Sequence, residues 1–173
     1  MEQEAKALRE FTVCINVAQL LKEATGSSRH YQLKEVTEEV LSPTMMGEIT
    51  LTRSQGGVLV AAAITTQIEM ICSRCLSAVD VKVSFDVEEE FFPTVDVFSG
   101  LPLSLPDESG NLSIDENHIL DLSEALRQYL LLAIPMKPLC RSDCSGLCPV
   151  CGYNLNLGAC SCSKQVRDRA GQS

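Results

Sequence analysis

The sequence predicts an α+β fold: an antiparallel β-meander or partly closed sheet covered by a helix, with a Cys-rich zinc-binding C-terminal tail. Three observations carry this expectation. Val79, Val81, Val83, Phe85 and Val87 alternate with Asp80, Lys82, Ser84, Asp86 and Glu88, the period of a strand with one wet face. Asp121-Leu-Ser-Glu124 has the form of a helix start, with Asp121 as cap and Glu124 three residues on. Eight of the nine cysteines form four close pairs: Cys72/Cys75, Cys140/Cys144, Cys148/Cys151 and Cys160/Cys162.

In chain order, Phe11, Val13, Ile15 and Val17 suggest a first strand, with Cys14 facing away from them. Residues 18 to 24 read as a short helix ended near Gly26. Ile49 and Leu51, then Val58, Val60, Ala62, Ile64, Ile68 and Met70, repeat at period two around a Gly56-Gly57 hairpin turn. Cys72-Ser-Arg-Cys75 falls on the turn into the next strand. Residues 93 to 118 hold Pro93, Gly100, Pro102, Pro106 and Gly110, which predict a mobile loop or one ordered by a partner. Leu122, Leu126, Leu130 and Ala133 line one side of the following helix, which Pro135 ends. Short links between strands predict antiparallel pairing with one packed face.

The cysteines carry the chemistry. Two thiolates separated by two residues can grip one ion from a single turn, and zinc accepts four in a tetrahedron. In Cys148-Pro-Val-Cys151-Gly152, proline narrows the backbone and glycine allows the positive φ that turns amides toward sulfur. Eight ligands predict two ions. Chain reach favours Cys148, Cys151, Cys160 and Cys162 as a local site, leaving Cys72, Cys75, Cys140 and Cys144 to close a gap of 64 residues. The rival division groups Cys140, Cys144, Cys148 and Cys151, and Cys72 and Cys75 with Cys160 and Cys162.

A disulfide framework is the competing explanation. The opening Met-Glu-Gln-Glu-Ala-Lys-Ala-Leu-Arg-Glu lacks an apolar signal core, and no stretch is apolar enough to span a membrane, so a cytoplasmic location and reduced thiols are expected. Cys14 is left as a lone thiol without a role.

Net charge is −9, with aromatics at 5% and no tryptophan, which disfavours both phosphate attraction and base stacking. The tail differs: Lys137, Arg141, Lys164, Arg167 and Arg169 face only Asp143 and Asp168. Asp86-Val-Glu88-Glu-Glu90-Phe91-Phe92 reads as a charged strand edge that discourages aggregation, or as an acidic, aromatic dock for a basic protein. His30 and His118 stand in no metal or nucleophile motif, and Gly56-Gly57 lacks the lysine of a phosphate loop. No small-molecule substrate is expected.

As a group, Ile71-Cys72-Ser-Arg-Cys75-Leu76, Glu88-Glu-Glu-Phe91-Phe92-Pro93, Leu130-Leu-Leu-Ala-Ile-Pro135-Met-Lys-Pro138-Leu-Cys140 and Cys144-Ser-Gly146-Leu-Cys148-Pro149-Val-Cys151-Gly152-Tyr-Asn154-Leu-Asn156 resemble the large ribosomal RNA subunit accumulation protein family, the YceD-like proteins. The resemblance covers residues 11–163 as a single YceD-like domain, made of a 1–135 acidic strand-rich body and a 136–173 Cys-rich metal-binding tail. It implies a bacterial, cytoplasmic, non-enzymatic factor supporting synthesis, processing or accumulation of 23S rRNA. Implied partners are precursor 23S rRNA or a basic large-subunit ribosomal protein, with no membrane. It favours zinc over iron at the eight cysteines. The alternatives are a thiol redox enzyme using Cys72 and Cys75, and a rubredoxin-like electron-transfer protein.

Overall fold

The computed structural model describes residues 11–33, 45–106 and 112–162. The opening segment, Gly110 and the basic Lys164, Arg167 and Arg169 lie outside the described residues.

Two compact units are present. One takes the chain up to Gln67 with Lys82–Ile134, and the other takes Ile68–Val81 with the chain from Pro135 onward. The elements are β1 (Cys14–Asn16), α1 (Ala18–Leu21), β2 (Ser28–Gln32), β3 (Met45–Arg53), β4 (Val58–Ile71), β5 (Ala78–Pro93), β6 (Ser113–Ile114), β7 (Ile119–Asp121) and α2 (Ser123–Ala133). The boundaries between units fall inside β4 and β5, so Ile68–Val81, the tip of the hairpin that they form, belongs to the second unit and the rest of it to the first.

Seven strands form one sheet in the order β1-β7-β6-β5-β4-β3-β2. The stretch β2 to β5 is the expected antiparallel meander, since short links let each strand fold back on its predecessor. Alternation decides the faces. Ile49, Leu51, Val58, Val60, Ile64 and Val83 are buried, while Met46, Glu48, Ala61 and Ala63 point outward. The wet face is laced across strands by His30 to Thr50 and Gln32 to Glu48, and by Thr65 against Ser84.

Beyond β5 the meander expectation fails: β6 pairs with it in parallel, over Phe92↔Ser113 and Pro93↔Ile114. The intervening loop reverses the chain through the Val95↔Pro102 bridge. Part of the predicted loop over 93 to 118 is therefore ordered. β7 returns antiparallel, and β1 adds to it with Cys14↔Asp121 and Asn16↔Ile119. These strands of two or three residues carry too little periodicity to be read from sequence. The first strand's alternation holds over a wider span, with Phe11, Val13, Ile15 and Val17 all buried.

The fold also revises the reading of the acidic run. β5 lies between β4 and β6, although β6 pairs with it over Phe92 and Pro93 alone. Phe91 is 1% exposed and belongs to the core. Glu89 accepts a hydrogen bond from Tyr129 Oη and Glu90 accepts one from Ser54 Oγ. Only Asp86 and Glu88 remain freely solvated.

α2 begins at Ser123 with Leu122 at the cap position, one residue later than expected. Asp121 still serves the start, because its Oδ1 accepts the Ser123 backbone N–H at 2.8 Å and the Ser123 hydroxyl. Ser123 Oγ in turn accepts the Val13 N–H, tying the helix start to the first strand. Glu124 does not reach back, since it pairs with Arg127 and accepts from Gln128. Leu122, Leu126 and Leu130 are fully buried. Pro135 pushes Ile134 to an extended backbone, which ends the helix. A helix of 11 residues is about 16 Å long, whereas the 16 residues of β5 extend roughly 50 Å, so α2 roofs part of the sheet rather than covering it.

The tight β3–β4 turn depends on one close approach. A Cβ on Gly57 would stand 1.9 Å from the Phe91 carbonyl oxygen, whereas one on Gly56 would meet only the Phe92 ring at 3.2 Å. Gly57→Ala should therefore lower stability by at least ~1–3 kcal/mol, and Gly56→Ala by distinctly less. Urea unfolding of the two variants would measure this, and equal losses would contradict the approach.

Candidate metal centres

Both cysteine clusters lie in the second unit. The first starts from the β4–β5 hairpin. Cys72 N–H donates to Ser77 carbonyl and Leu76 N–H to Cys72 carbonyl, closing a turn with Leu76 at φ 57°. That turn presents two sulfurs to one side, and Ser73 N–H anchors the later chain by bonding Pro138 carbonyl. Cys140 and Cys144 follow from that anchor. Cys72 Sγ lies 3.8 Å from Cys144 Sγ, and Cys75 Sγ lies 3.6 Å from Cys140 Sγ. Arg74 spans the cluster and donates to the Cys144 carbonyl.

The second cluster is local. Cys148-Pro149-Val150-Cys151 forms a turn closed by Gly152 N–H to Cys148 carbonyl and by Cys148 N–H to Tyr153 carbonyl. Gly152 takes φ 73°, the left-handed backbone that its position implied. Cys160 and Cys162 complete the set.

Within each quartet all sulfurs lie within 4.8 Å of one another. The division favoured by chain reach is the one adopted, and the rival division is not. The separations discriminate between chemistries. A disulfide needs about 2.05 Å, and every described cysteine is a free thiol. Four sulfurs at about 2.3 Å from a central ion stand about 3.8 Å apart, which matches the pairs in the first cluster. Each quartet could hold a metal ion.

Electrostatics divides the members of each quartet. The backbone amides of Cys75 and Arg74 aim at Cys72 Sγ and lower that thiol to about 6. The amides of Cys151 and Val150 do the same for Cys148, which falls to about 7. Ser77 lowers Cys75. The remaining members move the other way. Cys140 is exposed as a residue, yet desolvation of its sulfur and the Cys144, Cys75 and Cys72 thiols raise it to about 12. Cys162 is likewise raised to about 12, first by its hydrogen bond with Cys151, then by desolvation and the other thiolates. Four thiolates repel one another at this distance, so without a cation each cluster keeps some protons.

The remaining thiol and the histidines stay apart from these sites. Cys14 is exposed, and desolvation with nearby Asp121 and Asp115 raises its pKa, which makes it a poor nucleophile. His30 is exposed and bonded to Thr50. His118 is half-buried at φ 60° in the β6–β7 turn, with Nδ1 unpartnered.

Two asparagines were noticed in the sequence only as part of a resemblance. Asn156 Oδ1 accepts from Ser145 N–H and Arg141, while its Nδ2 donates to Asn154 Oδ1 and to Cys144 Sγ at 3.3 Å. Asn154 also donates to Ser77 Oγ. An Asn-x-Asn placed just after a cysteine knuckle was the available signal.

The profile of the family described as "Large ribosomal RNA subunit accumulation protein YceD" matches residues 60–171, which include all eight paired cysteines. The chain belongs to this family. An uncharacterized protein of Mycobacterium bovis is 30% identical over 106 residues, which cover 57% of this chain and 45% of the relative. One from Mycobacterium leprae is 31% identical over 99 residues, covering 57% and 43%. A chloroplastic Arabidopsis thaliana protein named as a homologue of the large ribosomal RNA subunit accumulation protein is 36% identical over 50 residues, covering 29% and 16%. The chain spans less than half the length of these curated relatives. No solved structure matches. Among the described residues, no helix is long and apolar enough to cross a membrane.

Ion uptake must displace the protons held by Cys140 and Cys162. Raising the pH should therefore strengthen binding, and each ion bound at about pH 8 should release at least one proton. Calorimetry in two buffers of different ionisation enthalpy counts these protons, and a count of zero would exclude a four-thiolate ion.

Proposed function

We propose that the chain is a non-enzymatic factor for large-subunit assembly, supporting accumulation of 23S rRNA, with a structural zinc ion in each cysteine quartet. Residues 11–163 act as one YceD-like domain, with a strand-rich body up to residue 135 and a metal-binding tail beyond it. The observation that carries this reading is family membership joined to two complete quartets. A catalytic zinc keeps one position open for water, whereas four protein thiolates close the coordination shell. The eight ligands are Cys72, Cys75, Cys140, Cys144, Cys148, Cys151, Cys160 and Cys162.

A tetrathiolate site suits zinc or iron, and zinc is taken as the occupant that the family resemblance favours. The thiol-redox reading is disfavoured because Cys72 and Cys75 stand on a hairpin turn beside two further sulfurs rather than at a helix N-terminus. The working compartment is the cytoplasm, and the partner is precursor 23S rRNA or a basic large-subunit ribosomal protein. The charge of −9 and the solvated Asp86 and Glu88 favour the protein.

Metal analysis of purified chain should give two zinc ions. In excess zinc, Cys72→Ser and Cys160→Ser should each retain one. Binding assays at fixed salt, against 23S precursor segments and against basic large-subunit proteins, should find a partner in the second group. Binding to neither would overturn direct participation in assembly.

A further inference from the structure

Asn156 sits on the loop between Cys151 and Cys160, which belongs to the second cluster by chain position, yet it touches a sulfur of the first. Its four hydrogen bonds leave no freedom of orientation. The carbonyl oxygen is taken by two donors, Ser145 N–H at 2.8 Å and Arg141 Nη2 at 2.8 Å. The amide nitrogen must then face Asn154 Oδ1 at 2.8 Å and Cys144 Sγ at 3.3 Å, both of which can accept. Exchanging oxygen and nitrogen would set donor against donor and oxygen against thiolate.

The loop is held over the first cluster at three further points. Leu155 N–H donates to Gly146 carbonyl at 2.9 Å, Leu147 pairs with Asn154, and Asn154 Nδ2 donates to Ser77 Oγ at 3.2 Å. Gly146 lies close beneath: a Cβ there would stand 3.3 Å from the Arg74 carbonyl oxygen. One loop thus supplies a donor to Cys144 directly and is tied to Ser77 on the turn that carries Cys72 and Cys75.

We infer that Asn156 is a positioning residue for the first cluster, and that it couples the two metal centres so that filling the second strengthens the first. The physical cause is ordering. An ion bound by Cys148, Cys151, Cys160 and Cys162 closes the loop that carries Asn156, so the N–H to Cys144 Sγ is prepaid before the first ion arrives. A hydrogen bond of this kind lowers the charge density on a ligating thiolate and fixes its direction, and partners outside the ligand set commonly alter metal affinity about ten- to a hundredfold. The coupling is reciprocal, so an ion in the first cluster strengthens the second by the same factor. This inference rests on the proposal that both quartets bind metal.

Cobalt(II) is the probe, because its visible absorption reports tetrahedral thiolate ligation and a chelator competition reads the affinity. On the full-length chain, Cys160→Ser should weaken cobalt at the first cluster about ten- to a hundredfold relative to the unaltered protein. Asn156→Ala should weaken it by a similar factor with the second cluster complete. Combining the two should cost little beyond either alone. Asn156→Asp keeps the acceptor for Ser145 and Arg141 but loses the donor, so the Ser145 contact survives while cobalt bands from the first cluster shift. First-cluster affinity left unchanged by Cys160→Ser, or effects of the two substitutions that simply multiply, would overturn the coupling and leave the metal reading intact. Absence of any thiolate-cobalt band in the unaltered chain would overturn both.

Discussion

Four sulfurs packed within 4.8 Å cannot all ionise unless a cation lies among them, and the second unit is organised around that constraint twice. Its buried cluster consists of Cys72, Cys75 and Cys144, with Val79 and Leu147 packed against them. Few apolar side chains are available to do the work of a core. Small units in this position depend on a staple, and a metal ion can supply more than ten kilocalories per mole by order of magnitude, about what a small domain needs. Opposing pKa shifts within each quartet express the same constraint. Backbone amides stabilise one thiolate at Cys72 and one at Cys148, while desolvation and then the neighbouring thiols raise Cys140, and the hydrogen bond with Cys151 and then desolvation raise Cys162.

The first unit is stabilised differently. Its sheet and helix bury Phe91, Ile49, Leu51, Ile64, Leu120 and Leu126, and most of its acidic side chains among the described residues are engaged in specific bonds. Glu89 serves Tyr129, which is thereby shifted upward, and Glu90 serves Ser54. Asp96 caps the Phe98 and Ser99 turn, and those donors hold its carboxyl below the usual range. Carboxylates that looked in sequence like one docking patch are thus spread over local structural tasks. What remains for a partner is the solvated face and the overall negative field, which acts on association more than on fold.

Legibility from sequence followed element length. β4 and β5, with 14 and 16 residues, carried enough alternation to be placed with their faces, as did the buried row Phe11, Val13, Ile15 and Val17. The end of α2 was legible because Pro135 acts locally on Ile134. β2, β6 and β7 were not, since strands of two to five residues carry too little alternation to be read. Phe91 was placed in an aromatic dock because the acidic run around it drew attention, although it continues the buried face of Val83, Phe85 and Val87. The role of Asn156 was hidden for a similar reason: an asparagine beside a knuckle looks like a turn residue until the sulfur it touches is known.

By itself the sequence determined the number of thiols and their pairing into four close sets, and chain reach favoured one division into quartets over its rival, because ligand spacing and loop length are local or nearly local quantities. It also carried the motifs shared with the YceD family. Only the tertiary structure decided that β5 lies centrally with a parallel neighbour, and that a loop of the second cluster reaches a sulfur of the first. Each of these depends on contacts between residues far apart in the chain. Such contacts are set by packing and hydrogen-bond satisfaction over a whole unit, which no window of sequence contains.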